Sequence, residues 1–359
     1  MVSKDDENVD RLSNNNKREK SSNNKSKKGN FSKSGSGVDC MQYIRQYLKN
    51  RDVPTRAQKV IIASWRDKTK TAYTTFIRKW ILFCEKRHAD PLAPSVNRLI
   101  RFLTYLFYDE KLSYASLNTA RSAVSIFSLH KQDSLGSHPM VTQFLRGIFN
   151  LKPRLPKTSV TWDTGIVLKK LQQWHPAKNL DLHQLTLKLV LLFLLVTGQR
   201  GQTLWSLDVR NITLSKKEAL CRIGDILKTS SVKHHQEEIK LVAYSETKSL
   251  CVVHYLNEYI IRTKKLRGGE HRLLISTRHP YRGVSRDTVS NWTKEGLKIC
   301  GVDMSVFTPH STRAASTSKA AQRITLPTIL KTAGWRSAST FARFYKKPIQ
   351  EGRSVADLL

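Results

Sequence analysis

Thr308-Pro-His-Ser-Thr-Arg313, then Gly334-Trp335, then Phe341-Ala-Arg-Phe-Tyr345 form the stretch from which the rest of the chain can be read. Thr308 is a helix-capping residue type and Pro309 a helix-opening one, so a helix is predicted to begin there. His310 and Arg313, three apart, then share one face of its first turns. The free N–H groups and dipole of that helix end favour an anion. With an indole and a phenol close behind, these side chains could meet around one phosphate. Each also has a packing explanation. Tyr345 lies four after Phe341 and one after Phe344, as in a core-facing aromatic stripe. Trp335 follows a glycine helix stop, and His310 could simply bond near the cap.

Composition narrows the setting. The chain has 359 residues, a net charge of +34 and 39% hydrophobic content, enough for cores in about two domains at roughly 100–200 residues each. Residues 1–37 hold nine Lys/Arg and five Asp/Glu, leaving 53 basic and 23 acidic residues in the remainder. The positive field therefore belongs to the folded part, as in nucleic-acid binders, although membrane or RNA surfaces also attract such a field. The five cysteines are scattered and odd in number, so neither a disulfide framework nor a zinc site is indicated. The N-terminus lacks an apolar signal-peptide core. Leu187 to Val196 is very apolar, but a bilayer needs about 20 such residues, so a buried helix is predicted.

Residues 1–37 are Asn, Ser, Lys and Gly with little to bury, which predicts a disordered tail. Its run Lys25-Ser-Lys-Lys28 reads as a nuclear-targeting signal or as a solubilising basic tail. Residues 40–150 are predicted to be all-helical. One helix runs from Ala63 through Tyr73, Phe76, Ile77, Trp80, Ile81 and Cys84 at three- and four-residue spacing. Others run from Ser95 to Tyr108, Ser116 to Leu129 and Val141 to Ile148. Lys and Arg between the apolar positions form a solvated face or a nucleic-acid-facing one. Leu151-Lys-Pro-Arg-Leu-Pro-Lys157, with two prolines and three bases, breaks the pattern and predicts a linker. Beyond it, helices are predicted over Trp162 to Trp174, Leu182 to Val196, Leu250 to Arg262 and Thr288 to Ile299, and again from Pro309. Short strands are predicted at Ala219 to Ile226 and Glu238 to Ala243 around a basic turn, with Leu273 to Ser276 extended.

Two further words carry chemistry. Thr197-Gly-Gln-Arg200-Gly-Gln-Thr-Leu204 places an arginine at the mouth of the buried helix, where its planar fork could hold two phosphate oxygens. Lys228-Thr-Ser-Ser-Val-Lys233 offers a flexible ammonium that could protonate a leaving alkoxide.

The ordered set Arg200, Lys228, His310, Arg313, Trp335 and Tyr345 resembles that of the tyrosine recombinase (phage integrase) family. The flanking words Thr-Gly-Gln-Arg-x-Gln-Thr-Leu, Leu-Lys-Thr-Ser, His-Ser-Thr-Arg-Ala-Ala-Ser-Thr-Ser-Lys-Ala and Ala-Gly-Trp…Thr-Phe-x-x-Phe-Tyr look like the branch carried by eukaryotic DIRS-like and Crypton-like mobile elements. The likeness covers about residues 50–350.

The resemblance implies an enzyme that breaks and rejoins DNA strands, with integration of a mobile element as the expected setting and the nucleus as the location. Arg200 and Arg313 would grip the scissile phosphate, His310 would hydrogen-bond it and accept the Tyr345 proton, and Trp335 would donate its indole N–H. Lys228, or alternatively Lys233, would be the general acid, and Tyr345 the nucleophile of a 3′-phosphotyrosyl intermediate. The resemblance implies no cofactor and no metal. Thr203 departs from the family, many of whose members carry Glu or Asp three after this arginine. The interval from Trp335 to Tyr345 is also one residue longer than in many bacterial relatives.

The implied fold is mainly α. A helical SAM-like core-binding domain over 40–150 and a catalytic domain over 158–350, mostly helical with a small β-sheet, would form a C-shaped clamp on double-stranded DNA. The linker 151–157 would touch the backbone through Lys152, Arg154 and Lys157, with Lys233 as a further contact. Dimers on each site and tetramers on paired sites are expected, and no membrane contact. The tail 351–359, with Val355, Leu358 and Leu359, would dock on a neighbour or fray. The competing function is a domesticated DNA-binding protein without catalysis.

Overall fold

A computed structural model describes residues 40–128, 134–153, 158–228, 230–232 and 237–350. The tail with Lys25 to Lys28, Arg154, Lys157, Lys233 and the C-terminal segment 351–359 lie outside the described residues. The chain divides into two compact units, one up to residue 154 and one from residue 155.

Among its described residues the first unit has six α-helices: α1 (Cys40–Lys49), α2 (Thr55–Ala63), α3 (Asp67–Glu85), α4 (Val96–Tyr108), α5 (Tyr114–Val124) and α6 (Pro139–Leu151). The apolar spacing selects what is buried. Ile77, Trp80, Ile81, Leu99, Leu103, Leu106, Leu117, Val124, Val141 and Ile148 are all in the core, each contributing roughly 1.5–3 kcal/mol by burial. Short polar residues set the starts. The Ser95 and Ser113 hydroxyls accept from the Arg98 and Ser116 N–H groups, and His138 Nδ1 accepts from Met140 N ahead of α6. Ala63, expected to open a helix, is instead the last residue of α2. The N–H groups of Ser64 and Trp65 turn back to Ile61 and Ile62, and α3 begins afresh at Asp67, a carboxylate suited to a helix N-terminus.

The second unit is built around α8 (Leu182–Thr197), preceded by β1 (Thr161–Trp162) and α7 (Thr164–Gln173). Asp181 opens α8 with a reciprocal capping box to Gln184. Apolar nearly all round, α8 is enclosed by α10 (Val252–Thr263), α11 (Arg286–Ile299) and α12 (Ser311–Ala320). It explains Leu187 to Leu194 as core, while Leu195 is half-buried and Val196 exposed, and no described helix is long and apolar enough to cross a membrane. After α8 come α9 (Gly201–Trp205) and the antiparallel sheet β2 (Ile212–Leu214), β3 (Glu218–Cys221) and β4 (Ile239–Val242). The sequence reading lacked β2. The unit ends with α13 (Leu326–Ala333), α14 (Ala338–Phe344) and β5 (Ile349–Gln350), which pairs in parallel with β1. Trp162, expected in a helix, is therefore a strand residue. The helix starts only after Asp163, whose carboxylate accepts from Gly165 N–H.

Candidate active site

The turn that ends α8 shapes the site. Gly198 closes the helix at φ +59°, a left-handed conformation that glycine adopts without strain. A Cβ there would lie 2.7 Å from Thr317 Cγ2, so α8 and α12 can approach this closely only over glycine. Two residues on, Arg200 occupies the N-cap position of α9, its carbonyl accepting from the Thr203 and Leu204 N–H groups. Its guanidinium makes no hydrogen bond or ion pair among the described residues. It faces a cavity of about 260 Å3 shared with Gln199, Gln202, Arg286, Ser290, His310 and Arg313.

Arg313 is 1% exposed. It donates to the carbonyls of Gly198 and Ala333, each at 2.8 Å, joining the ends of α8 and α13. Its Nε has no partner, and its guanidinium carbon stands 4.0 Å from the Trp335 ring centroid. Burial, then the Arg200 charge, push its pKa down to about 9, so it remains cationic at neutral pH.

The predicted helix start is corrected by two residues. Thr308 and Pro309 form a tight turn whose carbonyls accept from the Ser311 and Thr312 N–H groups, and α12 begins at Ser311. His310 is thus the N-cap residue. Its Nε2 lies 3.1 Å from the Tyr345 hydroxyl. Burial first, then Arg313, Arg200 and Lys228, hold its pKa below the ordinary histidine value. By accessible surface the residue as a whole is nevertheless exposed.

Tyr345 caps the C-terminus of α14, with its ring 4.7 Å from Trp335 and 5.8 Å from His310. It belongs to a small cluster with Ile329, Ala333, Trp335 and Phe341, so the packing explanation and the chemical one hold together. The ring packs while the hydroxyl reaches His310. Trp335 is 7% exposed and its Nε1–H has no acceptor. Buried donors rarely stay unpaired, and here two of them, Arg313 Nε and Trp335 Nε1, belong to residues in contact.

Lys228 is exposed at the end of the loop from β3, near enough for its charge to act on His310. Lys152 is the exposed C-cap residue of α6 in the first unit and does not line the cavity. No cavity-lining residue is acidic, so the charge of Arg200, Arg286 and Arg313 faces the cavity uncompensated and favours an anion.

Some functional neighbours were not legible in sequence. Thr203, where many family members carry an acid, is buried and donates 3.1 Å to Gln199 Oε1, while Gln199 Nε2 donates 2.7 Å to Thr332 O. Two neutral side chains thus brace the Arg200 turn against the end of α13. Ser318 Oγ donates to Tyr345 O and accepts from Lys347 N–H. Arg286 was missed because it carries no fixed offset from the recognised words.

The chain belongs to the phage integrase family, the tyrosine recombinases. The family model matches residues 168–351, and the family's N-terminal SAM-like domain matches residues 55–132. Comparison with curated protein sequences finds no match. Among solved structures, the chain is 12% identical to the Tn1549 transposon integrase in complex with transposon right end DNA, with a TM-score of 0.56 over 89% of this chain and 96% of that one. It is 13% identical to the XerH site-specific recombinase bound to palindromic difH substrate, with a TM-score of 0.55 over 87% and 88%. For a lambda integrase dimer bound to a COC′ core site the values are 17%, 0.51, 87% and 96%. These likenesses establish a mainly helical fold with a SAM-like N-terminal domain and a catalytic domain.

Proposed function

We propose that this recombinase cleaves and rejoins double-stranded DNA through a 3′-phosphotyrosyl intermediate formed by Tyr345. The observation that carries this is the Tyr345 hydroxyl, 3.1 Å from His310 Nε2, with Arg200 and Arg313 beside His310 and no carboxylate among the described lining residues. His310 takes the Tyr345 proton as the phenolate oxygen attacks phosphorus. The P–O5′ bond breaks, and Lys228 returns a proton to the departing 5′ oxygen. Lys233 is the alternative donor. Arg200 and Arg313 stabilise the charge that grows on the non-bridging oxygens. Because the phosphotyrosyl bond replaces a phosphodiester, the 5′-hydroxyl can reverse the step on the same or another strand without ATP.

The Arg313 Nε and Trp335 Nε1 donors, buried without a partner among the described residues, support the same reading. Clamp-like binding by the two domains, assembly as dimers and tetramers, a nuclear location and service to a DIRS-like or Crypton-like element rest on the sequence resemblance. The DNA complexes of the structural relatives support binding to duplex DNA.

The test is a suicide substrate nicked near the target site, recovered by sequencing DNA trapped covalently in cells. Wild type forms an adduct, whereas Tyr345→Phe binds and forms none. An adduct with Tyr345→Phe would reassign the nucleophile, and none with wild type would leave a non-catalytic DNA-binding protein. A 5′-bridging phosphorothiolate, a better leaving group, rescues Lys228→Ala but not Arg200→Ala. Rescue of Lys233→Ala instead moves the acid to Lys233.

A further inference from the structure

Two guanidinium groups stack on the Trp205 indole, Arg272 at 4.4 Å and Arg286 at 4.3 Å from its ring centroid. They differ in what else they hold. Arg272 is committed, donating 2.7 Å to Asp225 Oδ2 and 3.1 Å to Ser206 O. Arg286 makes no hydrogen bond or ion pair among the described residues, yet it lines the cavity with Arg200, His310 and Arg313.

Its platform is fixed. Trp205 Nε1 donates 2.7 Å to Val284 O, two residues before Arg286. Arg200 caps the start of α9 and Trp205 is its last residue, so one short element places both unpaired arginines. The contact holds the Arg286 guanidinium over the indole without using its N–H groups, which lowers the ordering cost of binding. Ser290, one helical turn after Arg286, and Gln202 line the same cavity, their side chains making no hydrogen bond among the described residues.

We infer that Arg286, with Ser290 and Gln202, forms a second phosphate subsite, taking the phosphate next to the scissile one on the cleaved strand. A phosphodiester has only two non-bridging oxygens, and Arg200, Arg313 and His310 already supply donors for them. Successive phosphates of a strand recur about every 3.4 Å along the helix axis, so a strand placing one at Tyr345 carries its neighbour past this wall. The inference takes from the recombinase reading which phosphate is cleaved. The subsite itself requires only that a DNA backbone enters the cavity.

Two measurements test it. For binding to a random-sequence duplex, the slope of log affinity against log salt falls by about 0.9 in Arg286→Ala and stays at the wild-type value in Arg286→Lys. An unchanged slope in Arg286→Ala overturns the subsite. In the second, suicide substrates each carry one neutral methylphosphonate near the cleavage point. Arg286→Ala loses about tenfold to a hundredfold in cleavage on the all-phosphate substrate, and nothing further where the adjoining phosphate is already neutral. Equal losses at every position overturn the subsite and leave Arg286 as a brace for Trp205. If wild type forms no adduct but the salt slope still falls in Arg286→Ala, the recombinase reading fails and the subsite stands.

Discussion

His310 Nε2 and the Tyr345 hydroxyl stand 3.1 Å apart across 35 residues of sequence, so the base and nucleophile of the proposed reaction are within hydrogen-bond reach of each other. Burial and three cations hold the His310 pKa below its ordinary value of about 6.5, so the imidazole is neutral and able to accept at pH 7. Single-turnover adduct formation should rise with pH through a midpoint below 6.5 and level off before neutrality. His310→Asn should lose that limb together with about 10²–10⁴ in rate. A midpoint above 6.5 would contradict the geometry. The linked stability has the same sign. As pH falls through about 6.5 the unfolded chain takes up this proton first, so the folded state loses stability toward acid, and His310→Asn should flatten that loss.

Arg313 is a buried cation with no ion pair among the described residues, which suits the anion of the proposed reaction better than it suits stability. Replacing it removes two carbonyl hydrogen bonds but also relieves repulsion with Arg200. Arg313→Met is expected to shift urea unfolding by less than about 2 kcal/mol while adduct formation falls by about 10³. Inorganic phosphate at a hundred times its Kd should stabilise wild type by about 2.7 kcal/mol and leave the variant's melting unchanged.

Gly198→Ala tests the turn. The new methyl would need the φ +59° backbone and would sit 2.7 Å from Thr317 Cγ2, costs of roughly 1–2 kcal/mol for the conformation and 1–3 for the overlap. Chemical denaturation should show the loss, and adduct yield should fall further than stability alone accounts for, because Arg200 moves with the turn. Full activity with a lowered melting temperature would show the Arg200 turn to be independent of it.

Gln199 stands where its amide ties Thr203 to Thr332. Gln199→Met keeps the bulk and removes both bonds. Adduct formation at saturating DNA should drop about tenfold to a hundredfold, with DNA affinity nearly constant. In an Arg200→Ala background the same change should cost little, since coupled residues are non-additive. An equal loss in both backgrounds would show that Gln199 does not act through Arg200.

How far the sequence reached depends on which signals are local. Leu187 to Val196 could be placed as a buried helix because its apolar run is unbroken, and the spacing around Trp80, Leu103 and Val124 marked core faces correctly. Ile212 to Leu214 was missed because a strand of three residues leaves no period. Trp162 was misplaced because the helical spacing beyond it extends backward without a break until Asp163 caps it. Thr308 and Pro309 looked like the helix start, but their turn uses the same residue types one step earlier. The recognised words carried Arg200, His310, Arg313, Trp335 and Tyr345, which the structure brings together. Gln199 and Arg286 gain their surroundings only through contacts made by folding, a carbonyl 133 residues away for one and an indole 81 residues back for the other.

Ser318 gives the segment after Tyr345 an unusual mooring. One hydroxyl holds Tyr345 O and Lys347 N–H, Lys347 Nζ donates to Thr158 O, and two residues later the chain enters a strand pair with Thr161 and Trp162. A DNA end bonded to Tyr345 would be anchored to the body of the enzyme, while the released 5′ end has no such tether. Under the proposed chemistry, the end with the free hydroxyl would be the traveller and the other its fixed quay.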